Sequence, residues 1–406
     1  MPTITTSALV LLSVLLVCAP APAFGQQDPN GPDASRVRVR FGPIMLNPSI
    51  TLGSIGIDDN VFNEAEDPKR DFTMTISPRT DVYLRLLGTW FTATVSEDVV
   101  WYQKYSSERH GNSSYGLAWK WPLTRLTVNT SVLHTNTSER PSYEIDARAE
   151  RALNAFSVGA SFRVLPSTGI EFTARKDTTD YAPTVYDGVN LQSELSADDT
   201  TLTIGVNHKL TPLTTASATV SRREDRFPFN PIRDSNKTEA RLVMAFDPRA
   251  LLKGSVSIGY TNLQPLSPDF PDFRGVTLAA SIVYAPYEVT KLTIVADRQV
   301  QDSYDINQPY FIQTGGSLEI DQRVFRRVDV VLRGGIERLQ YLDRSDVVVD
   351  YSNRTDFVVR YGAGLVYHHR PNLRIGINYD QTHRDSVIGS RQFTRPLLGT
   401  FLTYDF

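Results

Sequence analysis

The sequence predicts an all-β protein: a transmembrane antiparallel β-barrel of about 18 strands, preceded by a cleaved signal peptide. Three observations lead to this prediction. A short apolar run stands near the amino terminus, alternating polar and apolar segments recur from about residue 50 onward, and the chain ends in such a segment on an aromatic residue. Alternation places apolar side chains on one face of a strand and polar ones on the other, as a wall between lipid and water requires.

Length and charge exclude little on their own. The 406 residues would suffice for two or three soluble domains or for one large barrel. The formal charge of −3 argues against a nucleic-acid partner, because nucleic-acid-binding proteins normally carry a basic field.

The first residues predict export. The apolar run Ala8–Val17 is too short for a membrane-spanning helix, which takes about 20 residues, and small-residue cleavage sites follow at residues 21–25. The segment before the run has no Lys or Arg, which departs from the usual signal. We expect a signal peptide at 1–25, a periplasmic lead-in at 26–40 and an outer-membrane barrel at 41–406.

Cys18 raises a second hypothesis for the amino terminus, attachment of a lipid. Val17 argues against it, because a smaller residue usually precedes a lipidated cysteine. If Cys18 leaves with the signal peptide, the mature chain has no cysteine and needs no disulfide in an oxidising compartment.

The alternating segments are separated in turn by long polar loops and very short turns. No later apolar run would span a membrane as a helix, and only helices and closed barrels satisfy the backbone in lipid. A soluble sandwich is the alternative, but it rarely sustains so many long hairpins. We expect loops near 58–71, 106–113, 183–199, 228–236, 264–272 and 344–354 at one end, with turns at 87–90, 122–124, 248–250, 286–289 and 369–372 at the other. Long loops on the outside and short periplasmic turns are typical of the outer membrane.

Two irregularities are expected in the first hairpin. The pattern slips near Ser54 and Ile55, which predicts a shift of register there. Pro78 lies inside the second strand, and because proline cannot donate to a ladder we expect a β-bulge at that point.

The last strand ends abruptly. Its apolar or lipid-tolerant residues alternate, and the final three of them, Leu402, Tyr404 and Phe406, resemble the carboxy-terminal signal by which the barrel assembly machinery of Gram-negative bacteria recognises its clients. In a soluble sheet such an edge would invite aggregation, whereas in a barrel it pairs with the first strand.

Alternation also predicts what faces the lumen. Both signs of charge are expected there, at Arg79, Arg85, Arg163, Arg175, Arg223, Arg241, Arg360, Arg374, Asp81, Glu171, Asp247, Glu319 and Asp380. Two interpretations stay open: ion pairs that brace a wide wall, or a polar conduit whose charges order water across the pore. Because the two signs are nearly balanced, the sequence permits no prediction of ion selectivity.

Residues 56–62 (Gly-Ile-Asp-Asp-Asn-Val-Phe), then Asp71-Phe72-Thr73 and Ser77-Pro78-Arg79, resemble the β-barrel porin 2 family of bacterial outer-membrane proteins. The resemblance implies a location in the outer membrane, among its lipid and lipopolysaccharide. Some members are encoded near extracellular-polysaccharide export genes, which implies a role beside polysaccharide or its export proteins. The family brings no catalytic residues.

No enzymatic site, cofactor or metal is expected. The sequence has no nucleophile elbow, metal-spaced cluster or glycine-rich phosphate loop. The acidic residues near Asp58, Asp59 and Asn60 would supply oxygen ligands for Ca²⁺, but their spacing matches no calcium loop, so a solvated loop is favoured.

Three functional hypotheses follow. The leading one is a porin-like barrel that forms a passive polar conduit for hydrophilic solutes, saccharides among them. The alternative is a non-conducting outer-membrane barrel that supports exopolysaccharide export or binds at the cell surface. The third, a lipid hydrolase using His383 or His110, lacks a serine that could serve as its partner.

Overall fold

The computed structural model describes residues 37–248, 250–287 and 289–406. The predicted signal peptide and most of the lead-in lie outside the described residues. Within them, no helix has the length and apolar character that crossing a membrane would require.

Strands make up 72% of the structure. The first half contains β1 (Val39–Phe41), β2 (Ile44–Asp58), β3 (Asp71–Leu86), β4 (Thr89–Tyr102), β5 (His110–Pro122), β6 (Leu126–Glu139), β7 (Ala149–Leu165), β8 (Thr168–Tyr181), β9 (Val185–Tyr186), β10 (Val189–Asn190), the helix α1 (Leu191–Leu195), β11 (Ala197–Thr211) and β12 (Thr214–Arg226). The second half contains β13 (Ser235–Phe246), β14 (Leu252–Pro265), β15 (Phe273–Tyr287), β16 (Thr290–Asp302), β17 (Tyr310–Phe325), β18 (Val328–Leu342), β19 (Thr355–Arg370), β20 (Leu373–Asp385) and β21 (Phe393–Asp405).

Eighteen long strands, β2–β8 and β11–β21, form one closed antiparallel barrel. Each pairs with its neighbour in the chain, and β21 returns to β2, where Asp405 lies opposite Ser49. Closure leaves neither end strand as a free edge. The predicted antiparallel all-β barrel of about 18 strands is therefore confirmed.

The connections differ at the two ends of the barrel. Two-residue turns such as 166–167 and 212–213 join strands at one end, whereas the connection after β8 runs from 182 to 196 at the other. This is the asymmetry that the sequence predicts. It also includes three long connections that the pattern did not single out: 140–148, 303–309 and 386–392.

The wall is apolar outside and polar inside. Large apolar side chains such as Leu117, Phe172, Ile204, Leu242 and Leu365 are about half exposed, while Thr135, Asp199, Thr261, Glu337 and Arg374 are buried. Soluble proteins show the opposite arrangement, so this distribution fits a wall that meets hydrocarbon outside and encloses polar groups.

The predicted slip in β2 is present. Both of its ladders shift register between Leu52 and Gly56, and Ser54 takes a positive φ of 50°. At Gly56 a Cβ atom would collide with the carbonyl oxygen of Leu398. Glycine is therefore required for the bulged strand to approach β21.

The bulge predicted at Pro78 is wrong. Ile76 lies opposite Val99 and Arg79 opposite Ser96, so the register of β3 with β4 is the same on both sides of the proline. Proline lacks a backbone N–H group, so the ladder has fewer hydrogen bonds there. No extra residue is inserted into either strand.

The ladder between β15 and β16 stops early. Leu278 lies opposite Arg298, and beyond this pair residues 273–277 and 299–302 do not face each other in the ladder. Each strand still pairs with its other neighbour along this part. The wall is therefore split between β15 and β16 over its outer third.

Candidate functional site: the lumen and its outer mouth

Several predicted lumen residues form ion pairs within one strand. Arg79 lies 3.3 Å from Asp81, and Arg175 lies 2.7 Å from Asp177. Residues two apart on a strand share a face, so these pairs follow from the local sequence. The two charges of each pair largely cancel at the wall.

Other pairs join neighbouring strands. Arg360 lies 3.3 Å from Glu337, Asp380 lies 3.3 Å from Arg333, and Arg374 lies 3.2 Å from Asp405. Arg223 bridges Asp199 on β11 and Asp225 on its own strand. Arg241 binds Glu239 at 2.8 Å, and Glu171 accepts from Asn207 at 3.5 Å. The positive charges of Lys291 and Arg333 act on Glu319.

Three other predicted lumen residues lie near the short-turn end of the barrel. Arg85 and Arg163 are exposed near the ends of β3 and β7, and the Arg85 guanidinium stacks 5.5 Å from the Trp90 ring centre. Asp247 follows β13 in a turn. Alternation is preserved to the ends of a strand, but it does not tell how far along the barrel axis a side chain lies.

The predicted assembly signal sits on the outer face of the closing strand. Leu402 and Tyr404 are half-buried, Phe406 is exposed, and the rings of Tyr404 and Phe406 meet edge to face at 4.9 Å. This places an aromatic pair at the short-turn rim, where aromatic girdles lie in such barrels.

The long connections meet across the outer mouth. The connections 140–148 and 303–309 are separated by eight strands one way round the ring (β7, β8 and β11–β16) and by ten the other way. Nevertheless the Glu144 carboxylate accepts hydrogen bonds from Ser303 Oγ at 2.7 Å and from the Tyr304 backbone N–H at 3.2 Å. Loops from opposite sides of the ring therefore touch above the lumen.

We call five residues of these connections the mouth hub: Glu144, Tyr186, Asp187, Tyr304 and Arg391. The Arg391 guanidinium lies 5.7 Å from the Tyr186 ring centre and 5.2 Å from that of Tyr304. It donates to Asp187 at 3.0 Å, and the Tyr304 hydroxyl donates to the same carboxylate at 3.2 Å. Four connections are thus joined through one arginine and its two aromatic neighbours.

Apolar side chains pack beside the mouth hub. Ile145, Tyr181, Leu191 and Tyr304 are buried in one cluster. Leu191 begins α1, where the Asn190 side chain accepts from the Gln192 N–H. Because connections over open water would not bury such residues, the loops form a packed cover rather than a loose fringe.

A second layer of arginines supports this cover from the wall. Arg384 is fully buried and binds Asp356 at 2.7 Å and Asp146 at 3.0 Å. Arg354 binds Asp356 at 2.5 Å and stacks 4.1 Å from the Tyr341 ring centre. Burial of these charges is tolerated because each is paired and hydrogen-bonded.

Glu144 is the acidic member of the mouth hub. Its burial raises the pKa from 4.5 to about 7, because the charged carboxylate loses contact with water, while Ser303 and the nearby arginines lower the pKa in part. The carboxyl group therefore titrates near neutral pH, and its charge is costly only while the mouth is covered.

The pattern of the sequence did not indicate the mouth hub. It predicted the long loop at 183–199, which contains Tyr186 and Asp187, but no loop at 140–148, 303–309 or 386–392 and no site on any of the four. The signal present in the sequence was the occurrence of apolar residues, Ile145 and Leu191, inside polar loops. Such residues predict a loop that packs on something, but not which loop it meets.

The predicted acidic loop is structural. Both carboxylate oxygens of Asp58 accept from Arg395, and Asn60 donates to the carbonyls of Glu64 and Thr394. Among the residues described, no group of three or more His, Cys, Asp or Glu could hold a metal ion. His383 Nδ1 lies 2.9 Å from Thr394 Oγ1, and His110 Nε2 lies 3.2 Å from the Arg148 guanidinium.

The chain matches one family model, described as "Putative beta-barrel porin 2", over residues 33–405. No curated protein matches it. Among solved structures, it resembles a BenF-like porin from Pseudomonas fluorescens Pf-5, with 10% identity, a TM-score of 0.51, and coverage of 89% of this chain and 98% of that one.

Two further solved structures resemble the chain less well. Pseudomonas aeruginosa OpdO has 12% identity and a TM-score of 0.48, with coverage of 89% of this chain and 97% of that one. Acinetobacter baumannii OccAB3 has 9% identity and a TM-score of 0.48, with coverage of 89% and 99%. At such identities the similarity concerns the fold alone.

Proposed function

Because this chain belongs to the β-barrel porin 2 family and is a porin-like outer-membrane β-barrel, we propose that it forms a passive polar conduit for hydrophilic solutes, saccharides among them. The observation that carries the proposal is the inner wall. Its charges are paired across and along the strands, as at Arg175–Asp177 and Arg360–Glu337. Family and fold resemble channels and not enzymes.

Paired charges favour neutral solutes over ions. A carboxylate lies beside each of Arg79, Arg175, Arg223, Arg241, Arg333, Arg360 and Arg374. Little net field from these pairs extends into the lumen, while donors and acceptors remain at the wall. Hydroxyl-rich solutes exchange hydrogen bonds with water for hydrogen bonds with such groups at little net cost. Saccharides have this chemistry.

The covered outer mouth supports regulation of the conduit. The connection 182–196 buries Leu191 within the cluster beside the mouth hub. With the mouth hub assembled, we expect low flux, and we expect flux to increase when the cover is released.

Planar-bilayer recordings test the conduit directly. Refolded protein should give discrete current steps, with weak preference between cation and anion because the wall charges are balanced. Failure to conduct at any voltage, both in the wild type and in a variant with the cover released, would contradict the proposal.

A second function is favoured by the same cover. A barrel closed by packed loops, with exposed apolar residues such as Val348 and Phe229 on its outer connections, would suit a surface or scaffold protein that supports exopolysaccharide export. Its partners would be polysaccharide or export proteins, besides lipopolysaccharide and the barrel assembly machinery. Loss of surface polymer on deletion, together with absence of conductance, would favour this function over the first.

A further inference from the structure

At the split between β15 and β16, the facing edges of the two strands are not paired in a ladder. The ladder ends at Leu278 and Arg298, although both strands continue toward the outer end. The Arg298 side chain partly replaces the lost rungs, donating to the carbonyl of Val276 at 3.1 Å and to Thr314 Oγ1 at 2.8 Å. A closed barrel in lipid normally pairs its strands throughout, so this split requires an explanation.

The outer ends of β16 and β17 lie inside the barrel. Tyr310–Gln313, the first four residues of β17, are buried on both faces, unlike the outward residues elsewhere in the wall. Tyr310 and Ile312 alternate with Phe311 and Gln313, and so belong to the outer face of their strand. They pack in one cluster with two residues of the inner faces of neighbouring strands, Leu263 of β14 and Phe273 of β15.

This packing shows that the wall overlaps itself. The outer face of β17 meets the inner face of β14 and β15, and Val300 of β16 packs against the same cluster. The Tyr310 hydroxyl donates to the carbonyl of Pro271, just before β15. The outer ends of β16 and β17 therefore narrow the lumen below the mouth hub.

The sequence nevertheless fits a continuous ladder. Extending the existing register by the same pairing rule puts Val276 opposite Val300 and Arg274 opposite Asp302. The first would be an apolar pair on the lipid face, and the second a pair of opposite charges at the outer rim. Both are favourable cross-strand pairs.

Neither pair is formed in the structure. Arg274 donates to Asn262 at 3.2 Å and lies 3.6 Å from Asp272. Asp302 is accessible to solvent within the lumen, where its charge interacts with those of Asp225, Arg233, Arg223 and Lys237. The charges of Arg274 and Asp302 would complement each other only if the ladder continued in its present register. The same residues are therefore compatible with two arrangements, the observed split and a continuous ladder.

We propose that the β15–β16 split is a gate, in which the outer ends of β16 and β17 move from the lumen into the wall and zip against β15. The zipped state pairs Arg274 with Asp302 and widens the passage beneath the mouth hub. The role in permeation rests on the proposed conduit function, whereas the existence of the zipped state does not.

Lipid lowers the free-energy cost of moving β16 and β17 into the wall, whereas Leu263 and Phe273 lose their apolar cover in the zipped state. In the split state Ile312 and Val300 are buried against Leu263 and Phe273, and in the zipped state they face hydrocarbon, which is equally apolar. Tyr310 would move to the outer rim, where aromatic side chains are stable at the interface. The zipped state gains ladder hydrogen bonds, and the split state gains contacts within the lumen.

A disulfide between strands tests the zipped state. The sequence has one cysteine, Cys18, and it lies in the predicted signal peptide. After removal of that peptide, the introduced cysteines have no other thiol to react with. In the refolded protein in liposomes, the pair Arg274→Cys with Asp302→Cys should cross-link on oxidation, because directly opposed residues lie within disulfide reach. The pair Asn262→Cys with Arg274→Cys, already opposed in the ladder of β14 with β15, is the matched positive control.

The cross-link should also change transport. If the zipped state is populated at less than ~10%, locking it raises the mean current by about tenfold or more, and a reductant reverses the change. Absence of the cross-link while the control pair forms it would overturn the gate, and so would a cross-link that leaves the current of a conducting protein unchanged. Absence of current in every variant would contradict the conduit function instead, and the yield of cross-link would still decide whether the zipped state exists.

Charge reversal gives an independent test. Arg274 lies 3.6 Å from Asp272 in the split state, so the test starts from an Asp272→Asn background. In that background Arg274→Glu places like charges together only in the zipped state, and it should lower the mean current. Adding Asp302→Arg should restore the current, because the opposite charges are then exchanged. Asp302→Arg is also measured alone, because in the split state residue 302 interacts with Arg223, Arg233 and Lys237. A double variant whose current equals the sum of the two single effects would contradict the pairing, since Arg274 and Asp302 do not contact each other in the split state.

Discussion

Arg384 and Asp356 form an ion pair of 2.7 Å in which both side chains are fully shielded from solvent. The pair joins the end of β20 to the beginning of β19, directly under the loops of the mouth. Arg384 also donates to the carbonyl of Glu144 at 3.4 Å. The wall and the cover are thus connected through one guanidinium.

Removing the carboxylate of this pair should destabilise the outer end of the barrel. In Asp356→Asn, Arg384 and Arg354 both lose their shared charge partner, and breaking a buried pair costs about 3–5 kcal/mol. We expect the midpoint of urea unfolding in detergent to fall, with earlier proteolysis of the outer loops. Asp385→Asn, at an exposed neighbouring position, is the control and should change stability by no more than about 0.5 kcal/mol.

The docking of the cover should depend on pH through Glu144. Its pKa is about 7 in the covered state, against an ordinary 4.5, so the covered state holds the proton more tightly. Docking is then most stable below pH 4.5, weakens as the pH rises to about 7, and is constant above that, with a total change of at most about 3 kcal/mol. Conductance should rise over the same range, and Glu144→Gln should remove the dependence. An unaltered pH profile in Glu144→Gln would contradict this assignment.

Truncating the centre of the mouth hub should release the loops. Tyr304→Ala removes a buried ring together with its contacts to Arg391 and Asp187, and loss of a large buried side chain costs about 3–5 kcal/mol. We expect longer open times in bilayer recordings and faster cleavage by trypsin after Arg140 or Arg148. Tyr351→Ala, on an exposed loop, should leave both measurements as in the wild type.

The end of the chain should govern assembly and not transport. Phe406→Ala removes one ring of the edge-to-face pair with Tyr404 on the rim of the closing strand. We expect a lower fraction of folded, heat-modifiable protein in the outer membrane, with unchanged conductance for the molecules that fold. Val387→Ala, which shortens an exposed apolar residue of an outer loop, should assemble normally.

The architecture could be predicted from the sequence because alternation is a local property. Each strand needs only its own residues to separate a lipid face from a lumen face, as Ser161 and Phe162 of β7 illustrate. For the same reason the bulge near Ser54 could be predicted, since it breaks the alternation. At Pro78 the prediction failed because a missing N–H group removes hydrogen bonds without changing the register.

The mouth and the split could not be predicted, because both depend on contacts between distant segments. Glu144 meets Ser303 and Tyr304 across the ring, and nothing near Glu144 in the sequence specifies them. The outer end of β17 has the pattern of a lipid-facing strand, yet Ile312 packs inside the barrel. Alternation specifies the two faces of a strand. The packing of the whole barrel decides whether each face contacts lipid, the lumen or another strand.

The most direct measurement is the swelling of liposomes that contain the purified protein in solutions of neutral saccharides. We predict slow uptake by the wild type and faster uptake after oxidation of the variant with Arg274→Cys and Asp302→Cys, scaling inversely with saccharide size. No uptake by either protein, oxidised or reduced, would contradict the account of this barrel as a gated polar conduit.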